Sequence, residues 1–101
     1  MDRFSMKDFD GFFEAVLKLK STEDCRKFFE DVCTIKELQD LTQRLEVATL
    51  LKNGMNYREI GEKTGASTAT ISRVKRSLYY GNGGYRTVLD KLEGKTEDSD
   101  E

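Results

Sequence analysis

Apolar residues recur at helical spacing through the first half of the chain. Phe9, Phe12, Phe13 and Val16 fall at i, i+3, i+4 and i+7, one stripe along a helix, and Leu17 and Leu19 widen it. "STED" then breaks and restarts the pattern, with Ser21 placed to cap and Asp24 three residues on. Cys25, Phe28, Phe29, Val32 and Cys33 repeat the spacing. A second capping box, Thr34 to Glu37, opens a third helix that runs to about Lys52. Its stripe is Leu38, Leu41, Leu45, Ala48 and Leu51, with Ile35 and Leu50 adjoining, and "NGMN" ends it. The pattern predicts helix throughout and no strand.

The second half is punctuated by glycine. Asn56 is placed to cap a short helix, with Glu59 as its capping-box partner, and Gly65 is the residue expected to stop that helix in a left-handed conformation. Ser67 or Thr68 caps the next helix, which runs to about Tyr79. Helix, tight glycine turn, helix is the plan of a helix-turn-helix. Ile60, Ala66, Ile71 and Val74 are apolar where two such helices must meet. Gly61 is read as small because the helices cross closest there. "GNGG", Gly81 to Gly84, follows a helix and reads as a hinge or helix end. "GYRTVLDKL" would form one last helix.

Charge changes the picture. The formal net charge is −2, which by itself argues against a nucleic-acid partner. Between Lys52 and Lys91, however, eight basic residues face three acidic ones, a local surplus of +5. An anionic partner responds to that local field. On the second helix of the motif, Ile71, Val74 and Leu78 share one side, while Ala69, Ser72, Arg73 and Arg76 point the other way. Small and hydroxylated residues at the helix start allow entry into a major groove, and the hydroxyls and amides can meet phosphates or base edges. Arg73 and Arg76 can reach a phosphate or a guanine edge, and Lys75, nearer the flank, reads as a phosphate contact. The expected DNA-binding set is Ser67, Thr68, Ala69, Thr70, Ser72, Arg73, Lys75 and Arg76.

Other chemistries find little support. The chain has no histidine for general acid–base work and no nucleophile–base arrangement, so it is not expected to be an enzyme. Cys25 and Cys33, eight apart, would lie about 12 Å apart on one helix, too far for a disulfide, and are expected to be small buried apolar residues. Without histidine or a C-x-x-C pair no metal site is expected. With 37% hydrophobic and 36% charged residues and no run of apolar residues long enough for a membrane span, a cytoplasmic protein without a membrane partner is expected.

The stretch "LTQRLEVATLLKNGMNYREIGEKTGASTATISRVKRSL", Leu41 to Leu78, resembles the Trp repressor family, most specifically in "TGASTATISRVKRSL". The resemblance implies an all-α, six-helix fold built as an intertwined homodimer. It implies one helical domain over 1–93, with dimerisation helices over about 5–53, the helix-turn-helix over 56–79 and a C-terminal helix over 84–93. Residues 94–101 are expected to form a disordered acidic tail. It also implies a transcriptional regulator, in particular a repressor, with its recognition helix, about Thr68–Tyr79, in the major groove of a double-stranded, palindromic operator. The half-sites would lie about one helical turn apart.

The resemblance further suggests an effector pocket of Arg44, Thr70, Arg73, Val74 and Ser77, with Gln43 as the other candidate for the third-helix position. In the tryptophan-sensing member the place of Val74 is held by glycine, which leaves room for the indole ring. The valine is therefore expected to fill that space. No cofactor is expected, a small-molecule corepressor is allowed, and tryptophan is not the expected one. The alternative function is a helical protein-interaction adaptor that uses the same fold without specific DNA binding.

Overall fold

The computed structural model describes residues 4–94, so the expected acidic tail lies, apart from Gly94, outside the described residues. The chain divides into two compact units, Met1–Leu38 and Gln39–Glu101, with the division inside one helix. Among the described residues there are six α-helices and no strand: α1 Asp10–Val16, α2 Thr22–Val32, α3 Ile35–Lys52, α4 Tyr57–Thr64, α5 Thr68–Tyr80 and α6 Gly84–Leu92.

In the first unit a 3-10 turn, Met6–Phe9, precedes α1, and Ser5 Oγ accepts from the Lys7 N–H at 3.2 Å. Ser21 Oγ accepts from the Asp24 N–H at 3.0 Å and starts α2. The Asp24 carboxylate accepts from Lys20 N–H, one residue before the partner that a capping box would give it. The Thr34–Glu37 box at the start of α3 is complete in both directions, at 3.1 and 2.9 Å. Phe12 of α1 meets Phe28 and Phe29 of α2 with ring centroids 6.0 and 6.4 Å apart.

That aromatic cluster does not make a closed core. Phe12 remains 42% exposed and Phe13 41%, and no described residue of this unit is fully buried. Cys25 is exposed and Cys33 half-buried. The expected burial of both cysteines is therefore corrected: too little chain is present in this unit to cover them. Cys33 moreover caps α2 in an extended conformation and lies outside the helix.

The second unit holds the core. Val47, Ala48 and Leu51 of α3 join Ile60 of α4, Ala66 of the turn, Ile71, Val74 and Leu78 of α5, and Leu89 of α6. The expected α3 stripe is partly displaced: Val47 is fully buried, whereas Leu41 and Ile35 are exposed. The end of α3 is a Schellman motif. Gly54 has φ +87°, the Met55 N–H donates to Leu50 O and the Gly54 N–H to Leu51 O. Lys52 Nζ binds Asp90 Oδ1 at 2.7 Å and Glu93 Oε1 at 3.4 Å, joining the end of α3 to the end of α6. These carboxylates, the Asp90 hydrogen bond foremost, raise the ammonium above its usual pKa, so the lysine's contribution is present through neutral pH and is lost as the pH rises through that raised value.

The turn between α4 and α5 is held from three sides. Gly65 has φ +76° and its N–H donates to Gly61 O. Thr64 Oγ1 donates to Ile60 O and accepts from the Ala66 N–H at 3.1 Å. Gln43 Nε2 donates to Thr64 O at 3.1 Å, so α3 supports the turn directly. Gly61 behaves differently from expectation. A Cβ there would meet only Ala66 O, at 3.5 Å, an ordinary contact, so close helix crossing is not the reason for this glycine. Gly61→Ala is expected to be neutral or to stabilise by up to about 1 kcal/mol. Gly65→Val is expected to destabilise by about 1–3 kcal/mol, because a β-branched residue is strained at positive φ. Urea denaturation of the two variants checks both signs.

Candidate nucleic-acid interface

Ser67 caps α5, its Oγ accepting from the Thr70 N–H at 3.1 Å and lying 3.2 Å from Thr70 Oγ1. Ile71, Val74 and Leu78 at spacings of three and four then bury one side of the helix. That leaves Ala69, Ser72, Arg73, Lys75 and Arg76 exposed, together with Ser67 and Thr68 at the start. Thr70 is half-buried, and its hydroxyl accepts from Ser67 Oγ at 3.2 Å. α5 contains three basic residues and no acidic one. Its outer face is thus small and hydroxylated at the start and cationic further along.

α4 contributes less charge. Arg58 is paired with Glu62 on the same helix at 3.6 Å, and both are exposed. Tyr57, in its first turn, approaches α5. Its hydroxyl lies 3.4 Å from Ser72 Oγ, and Lys75 Nζ sits 5.6 Å from its ring centroid. No sequence signal marked Tyr57, because the contact depends on the angle at which α4 meets α5.

Of the expected effector-pocket residues, the structure brings four together. Arg44 of α3 and Arg73, Val74 and Ser77 of α5 line a cleft of about 260 Å³ with Tyr85 of α6. Thr70 is not among its lining residues. Of the two third-helix candidates, Gln43 donates to Thr64 O, while Arg44 is the one that lines the cleft. A second cavity of about 510 Å³, lined by Leu45, Gly81, Asn82, Gly84 and Val88, adjoins it through the shared Ser77 and Tyr85. Val74, 2% exposed, occupies the inner wall of the smaller cleft. Sequence reasoning did not include Tyr85, whose place depends on the fold-back of α6 after Gly81–Gly84.

A helix pair joined by a left-handed glycine, backed by the long α3 and followed by a short α6, carries an exposed basic face. The family model described as Trp repressor protein matches residues 7–93. The chain belongs to the Trp repressor family. It is 52% identical over 100 residues to the uncharacterized protein YerC of Bacillus subtilis, covering 98% of this chain and 96% of that protein. It is 31% identical over 75 residues to the Trp operon repressor homolog of Xylella fastidiosa, covering 73% and 82%. The crystal structure of a TrpR-like protein from Eubacterium eligens superposes with a TM-score of 0.83 at 50% identity, covering 90% of this chain and 94% of that one. The six-helix, Trp repressor-like fold expected from the sequence is the fold observed. Membership of the Trp repressor family points to a DNA-binding regulator of the helix-turn-helix class and to a family that is not enzymatic. Among the described residues no helix is long and apolar enough to cross a membrane.

Proposed function

We propose that the protein is a sequence-specific transcriptional regulator, a repressor in its simplest form, that binds a palindromic DNA operator as a homodimer with α5 in the major groove. The observation that carries this reading is the outer face of α5, where Ser67, Thr68, Ala69 and Ser72 leave room for a groove and Arg73, Lys75 and Arg76 supply the positive charge. Hydroxyls and backbone amides at the helix start suit phosphate and water-bridged base contacts. Arginine suits the guanine edge.

Dimerisation is supported by the apolar side chains that one chain leaves uncovered. Phe4, Leu17 and Ile35 are 76%, 80% and 66% exposed, and every described residue of the first unit retains solvent contact. A second copy would bury such faces and place two α5 helices on successive major grooves. Light scattering at micromolar concentration is expected to give twice the chain mass, and a monomeric mass would contradict the dimer.

The adaptor reading makes a separate expectation. An adaptor enriches no duplex from a random library, whereas a regulator enriches one and loses affinity for it in the double variant Arg73→Ala, Arg76→Ala.

Regulation by tryptophan is not part of the proposal. Val74, buried beside Arg73 and Ser77, stands at the position that the resemblance to the tryptophan-sensing member gives to a glycine and an indole ring. Calorimetric titration with L-tryptophan is expected to give no micromolar binding. A micromolar dissociation constant would mean that the pocket accommodates the ring despite the valine.

A further inference from the structure

Lys75 and Ser72 stand three residues apart on α5, hence on one side of the helix and one turn from each other. Both meet the same residue of the neighbouring helix. The Lys75 ammonium lies 5.6 Å from the Tyr57 ring centroid, and the Ser72 hydroxyl lies 3.4 Å from the Tyr57 hydroxyl. Tyr57 is itself firmly placed. It opens α4 directly after the Asn56 cap, whose Oδ1 accepts from the Glu59 N–H at 2.9 Å, and it is partly buried against the hydrophobic core.

We infer that Tyr57 is a positioning residue for the DNA-reading face, holding the Lys75 ammonium and the Ser72 hydroxyl at the flank of α5 where a phosphate backbone passes. The inference rests on the DNA-binding reading given above and extends it to a residue on the other helix of the motif.

The physical reason lies in the side chains. A lysine ammonium on a four-carbon stem samples many rotamers in water and loses that freedom when it binds a phosphate. An aromatic face attracts the cation and restricts the stem beforehand. It engages only one side of the ammonium, so donors remain for a phosphate oxygen. The tyrosine hydroxyl both donates and accepts, so it holds the Ser72 hydroxyl without exhausting it. Tyr57 thus links the first helix of the motif to the phosphate-facing flank of the second.

The test is operator affinity as a function of salt for the full chain, using a duplex selected by the wild-type protein. The variants are Tyr57→Phe, Tyr57→Leu, Lys75→Met and the double variant Tyr57→Leu, Lys75→Met. Tyr57→Leu is expected to weaken binding about threefold to tenfold. It should also lower the salt slope toward that of Lys75→Met, which loses about one phosphate contact per subunit. The double variant is expected to bind no worse than Lys75→Met alone. Tyr57→Phe keeps the ring and is expected to keep the salt slope. Additive losses, or an unchanged slope in Tyr57→Leu, would overturn the inference and leave Tyr57 as a packing residue.

Should Tyr57→Leu unfold, the wild-type protein gives an independent reading by NMR. Lys75 ε-CH2 protons shifted upfield by the ring, and still shifted in Tyr57→Phe, support the contact; random-coil shifts overturn it. Failure of the wild-type protein to bind any duplex would overturn the DNA-binding reading itself, and this inference with it. Normal wild-type binding with additive variants overturns only the inference.

Discussion

Arg76→Ala is expected to weaken operator binding by about 1–3 kcal/mol per half-site, and so by about 2–6 kcal/mol for a dimer on a palindrome. Arg76 is exposed on the outer face of α5, one turn beyond Ser72 and opposite the buried Val74–Leu78 stripe. A guanidinium there reaches either a guanine edge, where it makes a bidentate pair, or a phosphate. The two roles separate experimentally. Loss of a base contact relaxes sequence preference at one position of each half-site. Loss of a phosphate contact lowers affinity evenly and reduces the salt slope. Arg73 is expected to have a smaller and less sequence-dependent effect, because it also lines the cleft with Arg44 and is shared between the two surfaces. Titration of labelled duplexes with single-base changes measures all of this. An Arg76→Ala protein that binds its operator as tightly as wild type would remove α5 from the groove.

Ile60→Ala is expected to destabilise the second unit by about 2–5 kcal/mol. Ile60 is 0% exposed and ranks among the largest fully buried side chains, together with Ile71, Val47 and Val74. It is the buried residue that α4 contributes to the core, so truncation leaves a cavity where α4, α5 and α3 meet. A domain of this size has about 5–15 kcal/mol of stability in total, so the variant loses a large share of it. Urea denaturation followed by circular dichroism reads the change directly. DNA binding should fall with it, because α5 is held in place by the same cluster. A loss under about 1 kcal/mol would show that α4 is not packed as described.

Much of this architecture was legible in the sequence because it depends on near neighbours. The Thr34–Glu37 box, the Asn56 and Ser67 caps, and the left-handed Gly65 each involve residues a few positions apart, and each forms. The α5 stripe of Ile71, Val74 and Leu78 followed from helical period alone. Features set by tertiary geometry were less legible. Periodicity placed Leu41 in the α3 stripe and passed over Val47, because α3 is apolar enough to support two overlapping stripes and only packing against α4 and α5 chooses between them. The cleft was half visible: Arg44, Arg73, Val74 and Ser77 were expected there and meet, whereas Tyr85 enters from α6. The Tyr57–Lys75 contact and the Lys52–Asp90 ion pair join residues 18 and 38 positions apart, beyond the reach of any local rule. Gly61 shows the opposite error. A mid-helix glycine suggested a close crossing, yet the space beside it admits a methyl group.

The most direct test of the DNA-binding reading is selection of bound duplexes from a random library by this chain, with and without L-tryptophan. A palindromic motif with half-sites about one helical turn apart, enriched equally in both conditions, is expected of a dimer that reads DNA with α5 and carries Val74 in place of a ring-binding space. The absence of any enriched sequence in either condition would contradict a sequence-specific regulator.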